Sequence, residues 1–179
     1  MGQYYYPIIL DEDGNIVAWM RAHEYNNGLK LLEHSYLGNN FVEAFECLLA
    51  PGEKHYKARV VWAGDYADNE PDSEDNLHHM CTDDLKIHPD DLYSIMEYRY
   101  IVNHTKKQFV DKRMNVDTRE GAFGLHPLPL LTCEGNGRGG GDFHGESPLI
   151  GLWARDVISI EKTKPTDCVE IIFNLKEQF

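Results

Sequence analysis

The sequence contains no run of apolar residues approaching the roughly 18 that a membrane-crossing helix needs, which excludes a helical membrane anchor within it. Its opening, MGQYYYPIIL, lacks the basic segment of a secretory signal, so a soluble, cytoplasmic protein without a membrane partner is expected. Cysteine is sparse: Cys47, Cys81, Cys133 and Cys168 stand far apart with no CxxC pair, which argues against a zinc site or a disulfide framework and for reduced thiols. Basic residues are few, 17 against 30 acidic ones, and the formal charge of −13 excludes broad phosphate-backbone binding, so no direct nucleic-acid partner is expected. The same charge suits an acidic face presented to a basic protein partner. There is no HExxH, no G-x-S-x-G and no Gly-Lys-Ser/Thr, which removes the zinc protease, the serine-hydrolase elbow and the Walker A loop. Internal repeats and low-complexity linkers are also missing. Residues 1–179 therefore read as one domain, long enough to bury roughly 70% of the surface of the unfolded chain.

The segments that are present alternate between strand and helix patterns. Gln3 to Leu10 and Asn15 to Ala22 flank Asp11-Glu12-Asp13-Gly14 and predict a hairpin, and Asn26-Asn27-Gly28 predicts a further turn that continues the meander into Leu29 to Ser35. From Asn39 the period changes: Phe41, Val42, Phe45, Leu48 and Leu49 share one helical face, with Asn39 or Asn40 as cap and Pro51-Gly52 as stop. His55 to Tyr66 reads as a strand running into the acidic loop DYADNEPDSED, which lacks the glycine and terminal glutamate of a calcium loop. Short helices are expected at Asn76 to Thr82 and Pro89 to Met96. Tyr98 to Asn103 and Gln108 to Lys112 predict a second hairpin with a basic tip, and LPLLT, Leu149 to Glu161 and Val169 to Asn174 read as strands. The sum is an α+β fold, a mainly antiparallel sheet with two or three helices packed on one side.

The densest local signal is CEGNGRGGGDFHGE, Cys133 to Glu146, with six glycines in fourteen residues. So much flexible backbone is left disordered unless something orders it. Gly135-x-Gly137-x-x-Gly140 satisfies the dinucleotide pattern literally, but no helix start follows. Consecutive glycines can instead turn several peptide N–H groups toward one point and form an anion nest. In that reading Asn136, Arg138, Gly139, Gly140, Gly141, Asp142, His144 and Arg155 line a phosphate-binding pocket, and Trp153 offers a face for stacking a base. The alternative is structural: Arg138 and Asp142 pair to tie down the loop, and Trp153 belongs to the core.

For catalysis, His126 or His144 would serve as acid or base, with Cys133 as a conceivable nucleophile. His78-His79-Met80-Cys81 is rich in ligand types but has no metal spacing, and neither a metal nor another cofactor is expected.

NHTKKQFVD, GLHPLPLLTCEGNGRGGGDFHGE and GLWARDVISIE, together with the opening MGQYYYPIILDEDGNIVAW, resemble a family of proteins met in phages and bacterial mobile elements. The resemblance implies a context, counter-defence, and gives Asn136, Arg138, Asp142, Trp153, Arg155 and Asp156 no assigned role. The expectation is thus a protein that binds an anionic, nucleotide-like small molecule, as a sponge for a nucleotide signal would, without necessarily turning it over. An acidic inhibitor of a nucleic-acid-handling protein, of the DNA-mimic type, is the second reading, and a small hydrolase using His126 or His144 the third. A second copy of the chain would be an ordinary way to complete a pocket dominated by one loop.

Overall fold

The structure, a computed structural model, describes residues 1–89, 95–115, 119–120 and 123–176. The first hairpin forms as expected, from β1 (Tyr5–Leu10) and β2 (Ile16–Trp19), its turn held by the Asp11 side chain, which accepts from the backbone of Asp13 and Asn15. β3 (Ala58–Gly64) pairs antiparallel with β1 in unbroken register, Tyr5 opposite Gly64 and Leu10 opposite Arg59. The second hairpin consists of β4 (Tyr100–Asn103) and β5 (Gln108–Asp111). β6 (Cys133–Glu134), β7 (Val157–Glu161) and β8 (Val169–Glu170) complete the sheet, whose order is β2-β1-β3-β7-β4-β5-β8, with β6 paired to β3. Among the strands of the described residues, only the β3·β6 and β5·β8 pairings are parallel.

β1 and β3 carry apolar runs, YYPIIL and ARVVWAG, rather than an alternating pattern, because both faces of the sheet are covered. Tyr5, Ile9, Val60 and Trp62 face the main core, while Ile8, Leu10, Val61 and Ala63 face a smaller one with Trp19 and Leu77. The helices α1 (Leu31–His34), α2 (Asn40–Cys47) and α3 (Pro127–Thr132) all deliver their buried residues to the main core. α2 starts where expected. The Asn39 side chain accepts from the Phe41 and Val42 N–H groups, and Phe41 and Phe45 meet Trp62 edge to face at 6.0 and 5.1 Å.

Four expectations need correction. Leu29 to Ser35 is not a strand but holds α1, because the Glu33 carboxylate folds back and accepts from the Lys30 N–H, the acidic half of a capping box. LPLLT is helical: Pro127 and Pro129 fall in the first turn of α3, where no N–H is required, and His126 caps it by accepting from the Leu128 N–H. Leu149 to Arg155 is a chain of turns, and the strand begins only at Val157. Asn76 to Thr82 forms turns, with a 3-10 helix at Asp83–Leu85. The helix expected at Pro89 to Met96 falls largely outside the described residues.

Candidate functional site

The glycine-rich segment folds into a nest of the expected kind, but the anion at its centre is its own. The Asp142 carboxylate, fully buried, accepts on Oδ2 from the N–H groups of Gly137 (2.8 Å), Arg138 (3.0 Å) and Gly139 (3.0 Å). Gln3 Nε2 donates to the same oxygen at 2.7 Å, and the Tyr5 hydroxyl donates to Oδ1 at 2.8 Å. Five donors offset the cost of burying a charge with no cation beside it. Asn136 closes the loop by exchanging two hydrogen bonds with the Phe143 backbone, and Gly140 bridges in parallel to Gly2.

The glycines are needed because the chain's first residues thread against the loop. A Cβ on Gly139 would lie 2.5 Å from Gln3 Cβ and 2.6 Å from its backbone nitrogen. Gly141, with φ +84°, packs against the Lys30 side chain. The ligand-binding assignment of Gly139, Gly140 and Asp142 is therefore corrected: the Gly139 N–H is spent on Asp142, the Gly140 N–H on Met1 O and the Asp142 carboxylate on the loop, while Gly141 is closed off by Lys30.

Arg138 and Arg155 do share a cleft, of about 330 Å³, but it is lined as much by carboxylates. Arg138 Nη1 donates to Tyr66 O and Asp68 Oδ1, both at 2.8 Å. Arg155, in the left-handed region at φ 67°, forks between Glu70 and Glu134. The two arginines thereby clamp the acidic loop to the sheet, and Arg155 spends Nε, Nη1 and Nη2 on Glu70 and Glu134. Trp153 is no stacking platform: it is wholly buried and donates from Nε1 to Gln108 at 2.9 Å. His144 is exposed and makes no hydrogen bond among the described residues.

Of the hydrolase residues, Cys133 and His126 are likewise committed. Burial pushes the Cys133 thiol up to about 12, and its S–H points to Leu130 O. His126 has no free nitrogen: Nδ1 accepts from Leu128, so Nε2 carries the proton and donates to Glu46 Oε1 at 2.7 Å. It cannot act as the base that was expected. Among the described residues no group of three or more His, Cys, Asp or Glu side chains could hold a metal ion.

His126 nevertheless leads to a cavity between α2 and the segment that follows β5. Glu46 lies on the buried face of α2, with Oε1 on His126 and Oε2 on Lys112 Nζ at 2.6 Å, all three side chains nearly inaccessible. Lys112 and His126 hold the Glu46 carboxyl below its ordinary range against the opposing effect of burial. Beside this row is a cavity of about 280 Å³, walled by Leu37 and Ile95 and reached by Glu43, Arg99, Lys112 and Arg113. Burial and the neighbouring Glu46 push the Glu43 carboxyl up. Arg99 forks onto Asp111, whereas Lys112 Nζ makes one hydrogen bond among the described residues and keeps two N–H groups.

The sequence reading missed this group. Glu46 was its one legible sign, since a carboxylate four residues after Val42 and next to Phe45 falls on the apolar stripe. Compared with known protein families, with curated proteins and with solved structures, the chain matches none.

Proposed function

We propose that this protein binds a small, mainly apolar molecule with an anionic head group, and binds it in the cavity beside Glu46 rather than at the glycine-rich loop. The observation that carries the reading is Lys112, which lines a partly apolar chamber with two N–H groups unspent among the described residues. Arg99, Lys112 and Arg113 line it together with Glu43 and Glu46, so cationic donors reach the chamber despite the net charge of the chain. A volume of about 280 Å³ suits one ring or a short acyl chain. Saturation of His126 and Glu46 by each other and by Lys112 favours binding without turnover.

The test is thermal unfolding with benzoate and octanoate, in the natural protein and in Leu37→Trp, which fills the chamber, and Lys112→Met, which removes the cation. A ligand at 100 times its dissociation constant adds about 2.7 kcal/mol of stability, and the gain should vanish in Leu37→Trp and shrink in Lys112→Met. Equal stabilisation in all three proteins would refute the site.

A second reading, an acidic inhibitor docked on a basic partner, draws support from the clamp. Arg138 and Arg155 hold the loop that exposes Asp68, Asp72, Glu74 and Asp75, so these carboxylates form a preorganised ridge. In this reading, neutralising Asp72, Glu74 and Asp75 weakens partner binding and flattens its salt dependence. The phage and mobile-element context would suit either reading.

A further inference from the structure

Most of the 17 lysines and arginines stand within ion-pair distance of a carboxylate, as an excess of acidic residues makes easy. Arg113, Arg119 and Lys176 have interactions of their own. Arg21, Lys54, Lys57 and Arg59 have no carboxylate partner among the described residues, and the last three lie within six residues of one another. Lys54, Lys57 and Arg59 line a single cleft of about 570 Å³, which shares no lining residue with the cavity beside Glu46.

Clustering of the unneutralised cations is the unexpected part, because carboxylates are at hand. Asp11 and Glu12 line the same cleft. Asp11 spends its oxygens on its own turn, accepting from Asp13 N, Asn15 N and Asn15 Nδ2. Glu12 stands without pairing to any of the three. Lys57 is held in the left-handed region at φ 57°, a conformation that a non-glycine residue adopts at a cost, and its ammonium lies 5.2 Å from the centre of the Tyr56 ring. The Tyr56 hydroxyl is in turn fixed by Glu161 at 2.6 Å. Ile9, Leu10, Val17 and Val157 add apolar lining, and His55 lines the cleft with the cations.

We infer that this cleft is a second binding site, for a compact polyphosphate group carried by a small molecule. A guanidinium that, among the described residues, donates only to the Arg155 carbonyl, from Nη1, together with two ammonium groups matches a group of several adjacent charges better than it matches one carboxylate. The net charge of −13 selects for size. A small ligand responds to the local field, because charges beyond about 8 Å are screened at physiological salt, whereas a long nucleic acid spans the acidic remainder of the surface and is repelled.

The experiment is calorimetric titration of the intact protein with inorganic pyrophosphate. It compares the natural protein, the double variant Lys54→Gln/Lys57→Gln, Arg21→Gln as a control that removes the remaining unpaired cation, and Leu37→Trp. Circular dichroism checks that each is folded. Binding should weaken about tenfold in the double variant, in line with two exposed charge interactions, and stay unchanged in Arg21→Gln and Leu37→Trp. Failure of pyrophosphate to bind the natural protein, or an equal loss in Arg21→Gln, would overturn the assignment. So would a single-stranded oligonucleotide binding more tightly than pyrophosphate. A loss confined to Leu37→Trp would place the anion in the other cavity and also overturn it.

Discussion

Replacing Asp142 with alanine removes the internal anion around which the glycine-rich loop is wound. Five donors lose their acceptor at once: three peptide N–H groups, the Gln3 amide and the Tyr5 hydroxyl. Each hydrogen bond to a charged group contributes about 1.5–3 kcal/mol, but the buried carboxylate also carried a desolvation cost that its removal returns. The net loss should therefore be about 3–5 kcal/mol, the range measured when one partner of a buried charged network is removed. A domain of this kind is stable by about 5–15 kcal/mol, so the variant should still fold, with a clearly lower urea midpoint.

The void in Asp142→Ala is then a true anion site, and formate is small enough to replace the lost carboxylate. At 100 times its dissociation constant it should restore about 2.7 kcal/mol, with no effect on the natural protein. Chloride at the same ionic strength controls for screening. A loss under about 1 kcal/mol, or equal stabilisation of both proteins by formate, would refute the idea that Asp142 holds the loop together.

Gly139→Ala should cost about 1–3 kcal/mol in urea unfolding, because its Cβ would meet the Gln3 backbone, which has nowhere to move. Lowering the pH tests His34, which is fully buried between the Trp62 Nε1–H and Gly28 O and is held by its burial at about 4 against an ordinary 6.5. Its folded pKa lies below its unfolded one, so the unfolded chain binds more protons in that interval. Stability should fall as the pH drops from about 6.5 to about 4, by on the order of 3 kcal/mol, and then level off with respect to this group. His78, also pushed down to about 4 by burial, adds in the same direction. His34→Gln, which keeps an acceptor for Trp62, should flatten part of that slope in pH-dependent denaturation curves. Arg155→Met should raise amide hydrogen exchange in residues 65–75 and leave the core strands unchanged, since it removes the fork between Glu70 and Glu134.

The sequence by itself determined those elements whose cause is local. The Asp11 turn, the Asn39 cap and the spacing of Phe41, Val42 and Phe45 each act within a few residues, and β1, β2, α2 and both hairpins were legible from them. The location of the glycine-rich loop as a special place was legible too, because backbone freedom at that density needs an explanation. What the loop binds was decided by tertiary structure alone, since Gln3 and Tyr5 reach Asp142 from about 140 residues away in the chain and bring no local pattern with them. The same holds for the partners of Arg138, Arg155 and Trp153, and for the meeting of Glu46, Lys112 and His126, which come from three separate elements. Helix caps, turns and periodicity are local free-energy terms that a sequence displays. The pairing of buried charges is set only when the sheet brings distant segments together, and at that point a nest that reads as a site for a foreign anion is filled by the chain's own carboxylate.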